Sequence, residues 1–357
     1  MKGKPVLIIV ILFTSIFSNC LKDEDIKLIF ESYIPEQLND GWEISTPEHE
    51  GFDSDEIHRV YEKVFSEDIY PTMHSLLIVR NNKLIAEAYC RDQKERDQFH
   101  NLQSVTKSIT SILMGIAIDK GFIGSVNIPI YDIIPEYFDN DIRKRNITLY
   151  HALTMQTGLD FDNDVNTEEL YTDTENSLEY VLSRGLIFLP GTDYHYNDGD
   201  PQLISGVIQK VTGISEEEFA LENLFNPLGI NYYQWEKHRD NTTFGAFGLW
   251  LKPRDMAKIG KLMEQNGIWD GEQIVSSEWI EESTALRIPS DYYGYYWHNI
   301  EHDTGAIYAA GHGGQYIYIV PHVNLVIVTT ADPYSDMGAL SEDFHIIFND
   351  IIDAIIY

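Results

Sequence analysis

Residues 100–122, HNLQSVTKSITSILMGIAIDKGF, place Ser104 and Lys107 one turn apart at the head of an apolar run that stops before Gly121. A glycine just past the last apolar residues marks a helix end, and the run before it has the makings of a core helix. On this stretch alone its first turn has two readings. In one, Ser104 caps the helix, because a serine oxygen accepts an orphan backbone N–H, and Lys107 is an ordinary helix former. In the other, residues three apart share a helix face, so the amine lies within reach of the hydroxyl and can take its proton.

Outward from this helix, the chain changes character twice. On the N-terminal side, FDSDEIHRVYEKVF (52–65) has acid and serine at its start and Ile57, Val60, Tyr61 and Val64 at helical spacing, which predicts a capped amphipathic helix. MHSLLIVRNNKLIAEAYC (73–90) follows as two apolar runs about an Asn-Asn turn, a β-hairpin signal. From about 125 to 285 strand signals fade. Helical stretches such as ITLYHALTMQTG, PQLISGVIQKVTG and PRDMAKIGKLMEQNG alternate there with loops marked by Pro and Gly. Near Tyr292 short β-rich runs return (YYGYYWHNI, AIYAAGHGG, QYIYIV, NLVIVTTA), and LSEDFHIIFNDIIDAII closes the chain with helical periodicity. The economical assembly is an α+β fold: an antiparallel sheet with strands from both chain ends, flanked by the first and last helices, with an all-helical insertion. The expected units are 51–124 plus 286–357 as the α/β domain and 125–285 as the helical domain.

With 357 residues and 43% hydrophobic composition the chain can bury a large core. Its 25 Lys+Arg against 57 Asp+Glu, a formal charge of −32, repels phosphate backbones and anionic lipid surfaces, so nucleic acid is not an expected partner. The acidity reads as solubility rather than as recognition of a cation. The start, MKGKPVLIIVILFTSIFSNC, has two lysines and an apolar run from Pro5 to Phe17 that is too short to span a bilayer, and it reads as a secretory signal over 1–19. FSNC resembles a bacterial lipobox in which Cys20 is lipidated after cleavage, although Asn19 stands where Gly, Ala or Ser is usual. Plain secretion stays open beside a lipid anchor. Residues 20–50 then form a tether and docking segment. Only Cys20 and Cys90 are present, with no Cys-x-x-Cys pair and no His-x-x-x-His on a helical stretch, so neither a disulfide framework nor a metal site or other cofactor is expected.

A serine nucleophile needs a base, a group to hold that base and donors for the oxyanion. LPGTDYHYNDGDPQLISGVIQKVTG (189–213) offers Tyr196 in a Gly-rich loop before a helix. AAGHGGQYIYIVP (309–321) offers glycines that let backbone approach a substrate closely. His195, beside Tyr196, reads as a surface loop residue.

Together these segments resemble the serine β-lactamase and DD-peptidase superfamily in its class C branch, and within it the esterases and nylon-oligomer (6-aminohexanoate-dimer) hydrolases. Ser104-Val105-Thr106-Lys107 matches the Ser-x-x-Lys box. Tyr196-Asn197-Asp198 falls where the family has Tyr-x-Asn, and His312-Gly313-Gly314 where it has Lys-Thr-Gly or His-x-Gly. The resemblance covers about residues 50–345 and is specific through the order of its boxes, each weak alone.

It implies a β-lactamase-like fold and a Ser-Lys-Tyr mechanism, in which Ser104 attacks at a helix N-terminus and Lys107 assists Tyr196 as the proton relay. The backbone N–H groups of Ser104 and Gln315 would hold the oxyanion, and Asp198, His312, Gly313 and Gly314 would line the substrate. Two positions depart from the family. Asp198 is an acceptor when ionised, able to pair with Lys107, where the family has an amide donor. His312 replaces a lysine whose fixed charge would attract the carboxylate of a β-lactam or a peptidoglycan stem. The expected activity is therefore a serine hydrolase forming an acyl-enzyme on a small ester or amide outside the cytoplasm. A β-lactamase or DD-carboxypeptidase proper and a non-catalytic binding or sensor lipoprotein are the alternatives. Membrane contact is expected only through the N-terminal anchor, and the oligomeric state stays open.

Overall fold

The computed structural model describes residues 26–66, 68–300, 305–335 and 340–356, with side chains left aside for 340–346. The signal segment and Cys20 lie outside the described residues. The chain runs through α1 (Ser54–Val64), β1 (Met73–Arg80), β2 (Lys83–Tyr89), β3 (His100–Asn101) and α2 (Val105–Asp119). Its middle contributes α3 (Leu149–Leu153), α4 (Asn163–Thr172), α5 (Ser177–Ser183), α6 (Gly199–Thr212), α7 (Glu216–Ala220), β4 (Gln234–Trp235), β5 (Leu249–Leu251) and α8 (Pro253–Glu264). The small hairpin β6 (Ile268–Trp269) and β7 (Glu272–Gln273) follows, then α9 (Ser277–Thr284), β8 (His298–Asn299), β9 (Ile307–Gly311), β10 (Gln315–Val320), β11 (Leu325–Ala331) and α10 (Leu340–Asp353).

The main sheet has the order β2-β1-β11-β10-β9-β8, every neighbouring pair antiparallel, so strands from the two chain ends meet at β1 and β11. Local chemistry explains how it starts. The Asp53 carboxylate accepts from the Asp55 and Glu56 N–H groups and opens α1, whose Ile57, Val60, Tyr61 and Val64 are all buried. Asn81 and Asn82 both take positive φ (48° and 67°), as a two-residue hairpin turn between right-twisted strands requires. Both faces are covered. Leu76, Ile78, Tyr318 and Ile327 pack on the α1 and α10 side, while Leu77, Val79, Ile317 and Val328 join the core around α2.

The middle of the chain is not purely a separate helical unit. α8 lies directly on β1, β10 and β11, where a Cβ on Gly260 would come 2.4 Å from Val326 Cγ1. Its stripe of buried residues covers the second sheet face. The segment before α1 is docked too: Leu84 N–H donates to the Glu43 carbonyl, Glu87 N–H to Tyr33 and Leu28 N–H to Cys90, which lines the outer edge of β2 with backbone partners. Lys27 fastens this strap by donating to the carbonyls of Val64, Ser66 and Tyr70.

Candidate active site

The loop into α2 is held before the nucleophile is reached. β3 pairs with β5, Leu102 N–H donates to the Leu249 carbonyl at 2.9 Å, and Gln103 sits at φ 50°, a left-handed conformation uncommon for a residue with a side chain. The surroundings enforce it: Asn101 Oδ1 accepts from the Gln103 N–H at 3.0 Å, and Gln103 Nε2 donates to the Pro333 carbonyl at 3.0 Å. Ser104 follows at the N-cap position, yet its side chain accepts no capping hydrogen bond from the helix. The hydroxyl oxygen instead accepts from Lys107 Nζ at 2.8 Å. Of the two readings of this turn, the side-chain pair is the one realised.

Lys107 is 1% exposed, and each of its three protons has an acceptor. They go to Ser104 Oγ, to Asp198 Oδ1 at 2.7 Å and to the Ala246 carbonyl at 3.2 Å. Burial works against the charge, but Asp198 and then Tyr196 outweigh it and hold the amine above the ordinary lysine value. Lys107 is therefore an ammonium at neutral pH. The half-buried Tyr196 ring has its centroid 4.9 Å from Nζ, and the buried Tyr293 steadies it edge-on at 6.2 Å.

Asp198 immediately precedes α6 and turns its carboxylate into the cluster instead of capping its own helix. Its second oxygen accepts from Thr167 Oγ1 at 2.7 Å, and its N–H donates to Asn163 Oδ1 at 2.8 Å, both from α4. Neither α4 residue carries a local sequence signal, because its partner lies more than thirty positions away. Asn197 turns away: its amide donates to the His195 carbonyl and its Oδ1 accepts from Asp200 N–H. His195 is half-buried, with Nε2 at 2.9 Å from the Phe161 carbonyl. Asp200, fully buried, accepts from Thr157 Oγ1 at 2.6 Å. Burial pushes its carboxyl up to about 7 against the pull of Thr157 and Asn197.

The third box is arranged differently from its sequence reading. His312 is exposed, and Gly313 (φ 82°) and Gly314 (φ 106°) form the turn between β9 and β10. A Cβ on Gly313 would sit 2.0 Å from the Asp332 carbonyl oxygen, so this glycine is required by the neighbouring backbone. Gln315 opens β10, the strand between β9 and β11, and its amide bridges to the backbone of Ala331, donating at 2.8 Å and accepting at 3.1 Å. It is thus a buried strut across the strand ends. The glycine that meets the nucleophile loop is Gly311, where a Cβ would lie 2.2 Å from the Leu102 carbonyl and 3.2 Å from Gln103 Cβ. The GHGG run signalled close approach but not which glycine makes it. Elsewhere, Cys90 is buried, donates to the Met73 carbonyl, and has its thiol pushed up to about 12 by burial. Among the described residues no His, Cys, Asp and Glu group could hold a metal ion, and no helix is long and apolar enough to cross a membrane.

Comparison with known proteins agrees with this architecture. The chain is 24% identical over 292 residues to the 6-aminohexanoate-dimer hydrolase of Paenarthrobacter ureafaciens, covering 71% of each protein. A candidate 6-aminohexanoate-dimer hydrolase from Bacillus anthracis superposes with a TM-score of 0.73 at 17% identity, over 91% of this chain and 90% of that one. A class C β-lactamase gives 0.66 at 14% identity, over 84% and 96%. The β-lactamase family model matches residues 71–343, which takes in the Ser104, Tyr196 and His312 segments, and the chain belongs to the β-lactamase family, whose members are generally serine hydrolases.

Proposed function

We propose that the protein is a serine hydrolase that forms an acyl-enzyme through Ser104 on a small neutral ester or amide. The observation that carries this reading is the 2.8 Å contact between Lys107 Nζ and Ser104 Oγ inside a buried cluster that leaves no other use for the lysine. Held as an ammonium, Lys107 donates and cannot accept, so the base work falls to Tyr196. The Ser104 hydroxyl gives its proton to the Tyr196 oxygen as Oγ attacks the carbonyl carbon. The ammonium offsets the negative charge that the phenol oxygen carries while it acts as base.

The tetrahedral oxyanion meets the head of α2 and the backbone around the turn from β9 into β10, from Gly311 to Gln315. Tyr196 then protonates the leaving alcohol or amine as the C–O or C–N bond breaks. Water repeats the sequence in reverse to free Ser104.

Substrate class follows from the two departures. Both Asp198 oxygens accept from the protein, one from Lys107 and one from Thr167, and neither supplies the amide donor that an acylamino group would meet. His312 supplies no fixed cation for a substrate carboxylate. A panel of p-nitrophenyl esters, D-amino-acid amides and nitrocefin tests this. Steady ester turnover with nitrocefin slower by about a hundredfold or more is the expected outcome. A burst without turnover supports a sensor, and nitrocefin matching the esters overturns the substrate assignment. The N-terminal segment supports a site of action outside the cytoplasm, anchored through Cys20; Cys20→Ser should then move the protein from the membrane to the soluble fraction.

A further inference from the structure

Behind the Lys107 cluster lies a carboxylic acid that the chemistry above does not use. Glu216 opens α7, is fully buried, and neither of its carboxyl oxygens has a hydrogen-bond partner. The start of that helix does not occupy it, because Ser215 and Glu218 make the capping box. The groups acting on it are the hydroxyls of Ser205 on α6 and Thr110 on α2. Each hydroxyl has one proton, and both are given elsewhere: Ser205 Oγ donates to the Thr243 carbonyl at 2.7 Å and Thr110 Oγ1 to the Gly245 carbonyl at 2.9 Å. Gly245 N–H in turn donates to Gln202 Oε1 at 3.3 Å. One residue further on, the Ala246 carbonyl accepts from Lys107. Residues 243–246 are thus clamped between α2 and α6, and their far end sets one of the lysine's three contacts.

A hydroxyl whose proton is spent offers only lone pairs, so a group facing it is satisfied only as a donor. Protonated Glu216 meets that condition. A carboxylate there competes for both protons, since a buried charge without donors is costly. We propose that Glu216 is a positioning residue for Lys107: neutral, it leaves Ser205 and Thr110 clamped on residues 243–245, and on losing its proton it draws both hydroxyls to itself and loosens the segment that presents the Ala246 carbonyl.

The inference rests on the hydrolase reading above. Burial pushes the Glu216 carboxyl up to about 7, which brings the switch into the working range. From the packed elements it is faced by the neutral Ser205 and Thr110, and the buried Tyr296, whose phenol its charge helps to raise, is the titratable group coupled to it. Asp200 acts on Tyr296 as well, so the experiment has to isolate Glu216.

The test is the rate at which a fluorophosphonate labels Ser104, followed from about pH 5.5 to about pH 9 in the full chain and in Glu216→Gln and Ser205→Ala. The labelling rate of the parent relative to Glu216→Gln is expected to fall about fivefold or more from the acid to the alkaline end, because glutamine stays neutral and keeps a donor. Ser205→Ala should move the midpoint of the parent's fall to higher pH, since the carboxylate has lost one of its two donors. A flat ratio overturns the inference, and so does an unmoved midpoint. If Glu216→Gln does not fold, the Ser205→Ala midpoint decides alone. A folded parent that labels at no pH overturns the hydrolase reading and this inference with it, whereas labelling with superimposable profiles overturns this inference only.

Discussion

Among the buried cations of this molecule, Arg254 and Lys107 do opposite things with their hydrogen bonds. Arg254, on α8, donates to both oxygens of Glu87, to Asp40 Oδ2 at 2.7 Å and to the Glu36 carbonyl at 2.8 Å, so it ties the N-terminal strap and β2 to the sheet-covering helix. Burial opposes its charge, but Glu87 and Asp40 overcome this and raise its pKa further. Lys107 likewise holds a carboxylate, yet one of its three protons rests on Ser104 Oγ, an oxygen that bonding to a substrate would change. A guanidinium fork with permanent acceptors on every side is structural, and it cannot deprotonate. An ammonium with one exchangeable acceptor is poised for chemistry. Both are buried ion pairs, and what distinguishes them is the permanence of the partners.

The comparison can be broken most directly at the serine. Ser104→Ala should lower ester turnover and probe labelling by a thousandfold or more, on the order of 4 kcal/mol of barrier, while the thermal midpoint stays within a few degrees. Undiminished labelling would place the nucleophile elsewhere. Arg254→Ala should give the converse, a stability loss of about 3–5 kcal/mol in denaturant titration, because Glu87 is left buried and unpaired. Its remaining folded fraction should label at the parent rate, and a loss of labelling per folded molecule would show that the two clusters are coupled.

Asp198→Asn sharpens the contrast by leaving Lys107 buried without its carboxylate. Burial then dominates and the lysine pKa drops. The pH at which activity rises should fall by about one unit, and nitrocefin should gain on esters because the new amide can donate. The sign for stability follows from the same shift. A lysine raised in the folded state contributes fully below its unfolded value of about 10.4 and loses that contribution as pH rises through the folded value, so on the alkaline side the parent should keep its advantage over Asp198→Asn until strong alkali. An unmoved pH profile would remove Asp198 from any control of the lysine. The smallest effect is expected at Thr167→Val, which strips one donor from Asp198 and should cost about 1 kcal/mol of stability and severalfold in rate. Thr167→Ser should restore both.

Much of the fold was readable along the chain because its signals are local. The Asp53 cap, the buried stripe of α1 and the Asn81-Asn82 turn each lie within a few residues of what they control. The three boxes and their order were equally visible. The reading of residues 125–285 as a helical unit missed that α8 lies on the sheet, because an amphipathic stripe specifies that a face is buried and not against what. The glycines of the third box announced tight backbone, but Gly313 serves Asp332, and it is Gly311 that meets the nucleophile loop. Gln315 could not be recognised as a strut, since its partner Ala331 lies on the neighbouring strand. Thr167 and Asn163 carry no motif at all.

Sequence by itself determined that Ser104 and Lys107 share one helix face, because a helical turn is a local geometry and three residues fix it. Only the tertiary structure decided what that pair is chemically. The ammonium state of Lys107 depends on Asp198, 91 positions away, on Tyr196 two residues before that, and on the burial that α6 and residues 243–246 impose. Electrostatic energy depends on distance and dielectric, and both are properties of the packed molecule rather than of the order of its residues.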